Sequence, residues 1–216
     1  MKPKLTSELA EFIGIMSGDG YMNHHSNGHY FIEIAGHSEN DLEYHKKYIA
    51  SLVERLFAIR PTLVFKKGQN TLCSRISSKR IFNILEYLSF PKGKKNNLIV
   101  PSWISANKKF FLSFIKGIYD TDGSMILRTR GQHSISLGLK NRKLILEIKS
   151  FLERMNYFVS YNECTQKDKR GFTSTVYCIR INQKVLINKF KNQIGSSNPY
   201  KIGRLEKMTR SGTAGI

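Results

Sequence analysis

The sequence carries one pattern twice. Residues 12–20 read FIGIMSGDG and residues 115–123 read IKGIYDTDG. Each is an apolar run holding a glycine and closed by Asp-Gly. Asp19 and Asp122 stand 103 residues apart (122 − 19), as do His37-Ser38 and Lys140-Asn141. CSRISSKRIF (73–82) matches CIRINQKVLI (178–187) as C-x-R-I-x-x-K at an offset of 105, and LVERL (52–56) resembles FLERM (151–155) at an offset of 99. Several ordered matches at nearly one offset mean an internal duplication with small insertions. The period is too long, and the copies too few, for a solenoid. The chain must fold as two like units, 1–90 and 110–208, joined by a polar, basic linker, 91–109. The end, 209–216, reads as a disordered tail without function.

Both units carry the same order of elements. A first helix ends in Asp-Gly. Two strands follow, 21–25 and 29–35 in half one, 124–130 and 134–139 in half two, with Asn27-Gly28 and Arg130-Gly131 at or near the turns. The next helix opens at Ser38, with Asp41 three residues on as a capping-box variant, or at Asn141. In half two its apolar stripe is Leu144, Ile148, Phe151 and Leu152. Two more strands lie near 62–67 and 71–77, or near 157–165 and 173–181. A last helix begins near Lys79 or Lys184. The order αββαββα, twice, predicts an α+β protein of antiparallel sheets with pseudo-twofold symmetry.

Gly14 and Gly18 are four apart, on one face of the first motif helix; Gly117 and Thr121 take the same places in the second. Small residues at this spacing let two helix backbones approach closely. The motif helices then form the central interface and bring Asp19 and Asp122 side by side at two negative helix ends. That arrangement is electrostatically costly. A divalent cation relieves it, and Mg²⁺ takes the oxygen ligands on offer: the two carboxylates and the backbone carbonyls of Gly18 and Thr121.

Charge supplies the partner. Thirty-five Lys and Arg against 16 Asp and Glu give +19, spread along the chain, which points to a polyanion, nucleic acid first among them. Paired carboxylates, a cation and a basic surface suit metal-assisted phosphodiester hydrolysis. Other classes are disfavoured. No run of about 18 uncharged apolar residues could span a membrane, and MKPKLTSELAEF is too polar for a secretory signal. Cys73, Cys164 and Cys178 have no metal-site spacing and fit a reducing compartment. The six histidines fit no zinc pattern.

These residues resemble the LAGLIDADG homing endonucleases over essentially the whole chain. IKGIYDTDG is the closer copy and FIGIMSGDG the looser one. Two motifs in one chain are similar to the monomeric, two-repeat branch. The resemblance implies two curved antiparallel DNA-binding sheets about a two-helix interface. It makes Asp19 and Asp122 the metal-binding catalytic acids, with Mg²⁺ as cofactor and Mn²⁺ or Ca²⁺ able to replace it for binding. It assigns no metal to the earlier motif acid, Asp120 in one copy and Ser17 in the other. The family keeps polar or basic groups near the end of the second strand; Lys140 fits, and His37 is the counterpart in half one.

Strand parity then selects a polar, DNA-facing set. In half one it is Asn23, His25, His29, Phe31, Glu33, Thr71 and Arg75. In half two it is Arg128, Arg130, Gln132, Ser134, Ser136 and Arg180. A β-ribbon fits the major groove, and arginine pairs bidentately with guanine or phosphate. The two sets differ, so the double-stranded target is long, asymmetric and only roughly palindromic. The expected protein is a monomeric, intracellular enzyme in the compartment of its target genome, a prokaryotic cytoplasm or an organelle matrix. No splicing-domain sequence flanks the motifs here, which favours a free-standing or intron-encoded enzyme. An intron-splicing maturase or a cleavage-inactive DNA-binding protein on the same scaffold remains open. A basic RNA-binding protein of the ribosomal kind does not account for the paired acids.

Overall fold

The computed structural model describes residues 2–24, 28–95, 97–128, 132–167, 171 and 173–210. The first motif lies on α1 (Ser7–Gly18) and the second on α5 (Lys108–Thr121). Side-chain oxygens open both helices: Thr6 accepts from Leu9 N, and Asn107 from Lys109 N and Phe110 N. Every residue of α1 from Leu9 to Ser17 is buried, as befits a helix apolar on nearly all sides.

The two helices meet backbone to backbone. A Cβ built on Gly14 would lie 2.1 Å from the Phe114 carbonyl oxygen, and one on Gly117 would lie 2.2 Å from that of Glu11. Glycine is the residue type that leaves room for this contact. Gly18 sits against the Thr121 hydroxyl and the Asp122 carboxylate.

On each side of the seam lies a four-stranded antiparallel sheet. Half one has β1 (Gly20–His24), β2 (Tyr30–His37), β3 (Thr62–Phe65) and β4 (Thr71–Ile76), in the order β1-β2-β4-β3. Half two has β5 (Gly123–Ile126), β6 (Ser134–Leu139), β7 (Ser160–Lys167) and β8 (Thr173–Ile181), in the same order, β5-β6-β8-β7. Met22 pairs with Ile32 and Gly20 with Ile34, placing the buried residues on the inner face; Ile135 pairs with Ile181 and Leu137 with Ile179 in the same way. Helices α2 (Ala50–Phe57) and α3 (Lys79–Tyr87) cover half one, and α6 (Arg142–Arg154) and α7 (Lys184–Gln193) cover half two. Leu52, Val53, Phe82 and Leu85, with Ile145, Ile148, Leu152 and Phe190, complete a shared core. The fold is α+β, αββαββα twice, with one further helix before the second repeat and one after it.

Several elements depart from the sequence expectation. Asn141 caps α6, accepting from Leu144 N, but Ser38 does not open its counterpart. Instead residues 38–41 form a turn, and Tyr44–Ile49 is π-helical before α2 begins. The reason is length: in half one Leu52 lies 15 positions after His37 (52 − 37), where in half two Phe151 lies 11 after Lys140 (151 − 140). The surplus is absorbed as a turn and a widened helix. The stretch 91–109 is no loose connector: it holds α4 (Ser102–Ser105) and buries Leu98, Val100 and Ile104. At the other end, Thr209 and Arg210 continue α8 (Pro199–Arg210); residues 211–216 lie outside the described set.

A buried polar network stitches the halves together. Glu11 on α1 accepts hydrogen bonds from Tyr48 Oη at 2.6 Å, Lys116 Nζ at 3.2 Å and Ser197 Oγ at 3.3 Å. Asp120 on α5 accepts from Ser196 Oγ and, at 2.8 Å, from Ser197 N. Its counterpart Ser17 turns inward to donate to Ile13 O at 2.7 Å. His45, in the π-helical stretch, is buried with Nδ1 2.9 Å from Ser74 Oγ. Burial lowers its pKa to about 4.

Two stability predictions follow from the seam and from His45. Gly14→Ala must push two backbones apart and should destabilise by about 3 kcal/mol or more in urea titration. Gly203→Ala, in α8 with nothing within 4 Å of the new Cβ, should instead stabilise by about 0.5–1 kcal/mol. His45 is neutral in the folded state, whereas its unfolded value is 6.5. The unfolded chain therefore binds the extra proton between pH 6.5 and 4, and His45 makes stability fall as pH drops through that window. Asp120, pushed up to about 6 by burial, acts in the opposite sense, gaining its proton first when folded. The His45 share is read as the difference between wild type and His45→Gln. The variant should lack up to about 3 kcal/mol of acid-induced loss.

Candidate active site

Asp19 and Asp122 are the C-cap residues of α1 and α5. The seam that joins the helices brings their ends, and these carboxylates, together. The following glycines let each chain turn back along its helix: a Cβ on Gly20 would lie 2.4 Å from Met16 Cα, and one on Gly123 would lie 2.5 Å from the Tyr119 oxygen. Burial raises the pKa of Asp19, with Asp41 adding to the effect. Burial also raises that of Asp122, with the charge of Asp19 adding to it. Two negative helix ends make the same place unfavourable for negative charge.

Two lysines offset this. Lys95 Nζ donates to the carbonyls of Met16 at 3.2 Å, Ser17 at 3.1 Å and Gly18, capping α1. Lys201 Nζ donates to those of Tyr119 at 2.7 Å and Thr121 at 2.8 Å, capping α5. Burial lowers the pKa of both ammonium groups, and the neighbouring carboxylates hold it up. Neither lysine stood out in the sequence, yet a signal was there. Lys95 and Lys201 are 106 apart (201 − 95), as are Ser89 and Gly195, which share a positive φ of 61° and 66°. The duplication thus runs past the last strand of each half.

The carbonyls of Gly18 and Thr121, expected as metal ligands, each already accept a lysine ammonium. Lys140 is exposed at the rim of a cleft of about 480 Å³ that it shares with Gly18, Lys95, Asp122 and Asn141. His37 ends β2, and its Nδ1 accepts from Glu39 N at 3.2 Å and Asn40 N at 3.3 Å. That pairing assigns the ring proton to Nε2 in the neutral form. His37 therefore shapes the turn and keeps Nε2 as its donor.

The outer face of the first sheet carries Asn23 and Phe31, which pair across β1 and β2, and Glu33 opposite Arg75. Arg75 Nη2 lies 2.6 Å from Glu33 Oε1 in a cross-strand ion pair. Tyr21, missed by the parity reading, shares this face: its hydroxyl accepts from Asn23 Nδ2 at 3.0 Å, and its ring lies 5.7 Å from that of Phe31. Thr71 pairs with His37 at the far end of β4, and His29 is exposed just before β2. In half two, Arg128 and Gln132 are exposed beyond the strand ends, and Arg180 pairs with Ser136. Ser134 and Ser136 are not presented at the surface: they are only 3% and 8% exposed. Both are short and lie on β6, between β5 and β8, so longer neighbours cover them. Ser134 Oγ and Arg180 Nε are buried without a hydrogen-bond partner among the described residues. His25 and Arg130 lie outside the described residues.

Chemically, the donor set is oxygen. Two carboxylates held together at a cost, beside an open cleft, suit a hard divalent cation. The same cost makes a prediction. Asp122→Asn should raise the melting temperature of metal-free protein at pH 8, because a charge disfavoured by the fold is removed. Added Mg²⁺ should then raise that of wild type and leave the variant's nearly unchanged. A variant that melts below wild type in EDTA would contradict the electrostatic account.

Residues 109–195 match the family model described as LAGLIDADG-like domain. Among solved structures, the fold is similar to that of the homing endonuclease I-DmoI in complex with DNA and Mn. The TM-score is 0.59, with 22% identity, over 88% of this chain and 96% of that one. It is also similar to the N-terminal LAGLIDADG domain of DUF199/WhiA, with a TM-score of 0.55 and 16% identity over 89% of this chain and 86% of that one. In sequence it is 26% identical over 176 residues to an uncharacterized protein of Methanocaldococcus jannaschii, covering 76% of this chain and 60% of the relative. It is 28% identical over 209 residues to the probable translation initiation factor IF-2 of the same organism, covering 91% of this chain and 16% of that protein. The chain therefore spans less than two thirds of the length of either curated relative.

Proposed function

We propose that this chain, whose residues 109–195 match a LAGLIDADG-like domain and whose whole fold is similar to that of I-DmoI, is a sequence-specific DNA endonuclease. The observation that carries the reading is the convergence of Asp19 and Asp122 at the ends of two glycine-seamed helices, each leading straight into a four-stranded sheet, on a chain of charge +19. The homing endonuclease I-DmoI, of similar fold, forms structures with target DNA and Mn, Ca or Mg.

In this reading Asp19 and Asp122 hold the divalent cation. When bound, Mg²⁺ supplies Lewis-acid chemistry, acidifying water and drawing charge from phosphate oxygens. The protein's own groups do the rest. Lys140, exposed at the cleft rim, meets a phosphate with three N–H donors. Lys95 and Lys201 keep the helix ends from repelling a phosphate. The outer faces of the sheets, with Asn23, Arg75, Arg128 and Arg180, read and grip the duplex. Arg75 must exchange Glu33 for DNA, which makes that contact selective rather than merely attractive. The halves present different residues, so the target is asymmetric.

One observation favours a second reading, a DNA- or RNA-binding protein that does not cut. Lys95 and Lys201 already neutralise the motif helices, one ammonium for each carboxylate.

DNA flanking the gene, joined across the insertion, serves as candidate target. Wild type should cut it in Mg²⁺, and Asp19→Asn and Asp122→Asn should each lower the rate at least 100-fold with target affinity largely kept, the scale on which loss of one essential catalytic group is felt. Binding without cutting by wild type would select the second reading. Variants that cut as well as wild type would remove these carboxylates from the chemistry.

A further inference from the structure

The halves differ in the connection from the second strand to the next helix, where half one is longer. In half two the chain passes from Lys140 through the cap Asn141 straight into α6. In half one the surplus residues carry Asp41 to the boundary between the halves. Its Oδ2 accepts from His37 N at 2.9 Å. Its Oδ1 accepts from Asn198 Nδ2 at 2.7 Å, across the boundary. Asn198 is fully buried and is spoken for on every side. Its Oδ1 accepts from Tyr200 N at 3.1 Å, opening α8, and its Nδ2 also reaches Asp120 O at 3.3 Å. Three residues further on, Lys201 caps the carbonyls that precede Asp122.

We infer that Asp41 is a positioning residue for Lys201: a carboxylate delivered by the insertion in half one fixes the start of α8 in half two, and so seats the ammonium on the last carbonyls of α5. The physical warrant is a chain of directed bonds with little slack. A buried amide that donates to a carboxylate and accepts from a helix N–H has one orientation that satisfies both. Turn it, and α8 loses its cap and Lys201 its register on α5. Lys95 receives no such support from Asp41, although it caps α1 in the same manner. The pair therefore offers an internal control. The meaning of this tie for strand cutting rests on the proposed endonuclease activity; the tie itself does not.

Residue-resolved acetylation of the native protein, read by mass spectrometry, tests the inference without any substrate. Asp41→Asn faces the Asn198 amide with an amide and removes the charge. It should speed acetylation of Lys201 about tenfold, the factor that loss of one charge-assisted hydrogen bond commonly opens. Lys95 should stay protected. Asn198→Ala, which removes the amide that Asp41 holds while keeping the Asp41 charge, should expose Lys201 in the same way and leave Lys95 protected. Unchanged Lys201, or Lys95 rising in parallel, would overturn the assignment. With cleavable target, Asp41→Asn should slow the two strands unequally at unchanged DNA affinity. Equal slowing of both strands would reduce Asp41 to a general scaffold role and so overturn the positioning claim. Wild type that fails to cut, with the acetylation pattern intact, would remove the endonuclease reading and leave the tie standing.

Discussion

Everything in this structure hangs on the approach of α1 to α5. At Gly14 and Gly117 each helix presses bare backbone against the carbonyl of its partner. A single methyl group at either place would separate them. That contact fixes where the two helix ends emerge, and thus how close Asp19 and Asp122 stand. It also fixes the relation of the two sheets, because each sheet begins one residue after its motif aspartate. Packing here is therefore a functional specification: the separation of the halves and the separation of the carboxylates are one variable.

The seam concentrates charge that the fold must then manage. Two carboxylates and two helix C-termini meet at one end of it, while Glu11 and Asp120 are buried along its sides. Groups of this kind destabilise unless they are paired and hydrogen-bonded throughout. Here they are. Lys95 and Lys201 cap the helix ends, Tyr48, Lys116 and Ser197 saturate Glu11, and Ser196 and Ser197 hold Asp120. Compensation still falls short: burial raises the pKa of Asp19, Asp120 and Asp122 alike, and the charge of Asp19 adds to the effect on Asp122. A bound cation would complete it.

Much of this was legible in the sequence because duplication makes a weak signal strong. Asp-Gly after an apolar run means little once, but its recurrence at an offset of 103 placed both motif helices, and strand alternation placed the inner faces. What was hidden has physical causes. Lys95 sits in a stretch that composition marks as a linker, and Lys201 follows the last matched motif, so each is signalled only by an offset of 106 with no motif around it. Asp41 looks like a capping residue, and only the length difference between the halves shows that its helix cannot begin as α6 does. Ser134 and Ser136 follow the right parity, but parity does not say that a short side chain on an inner strand will be covered by its neighbours.

The two halves are thus alike in architecture and unlike in chemistry. Half one brings His37, tied into a turn, and half two brings an exposed Lys140. Asp120 bonds across to the loop before α8, while Ser17 serves its own helix. The most direct test of the central claim is anomalous diffraction at the manganese edge from crystals grown with Mn²⁺. The account predicts a peak between the carboxylates of Asp19 and Asp122. Density clear of metal there, with the ammonium groups of Lys95 and Lys201 still seated on the two helix ends, would contradict it.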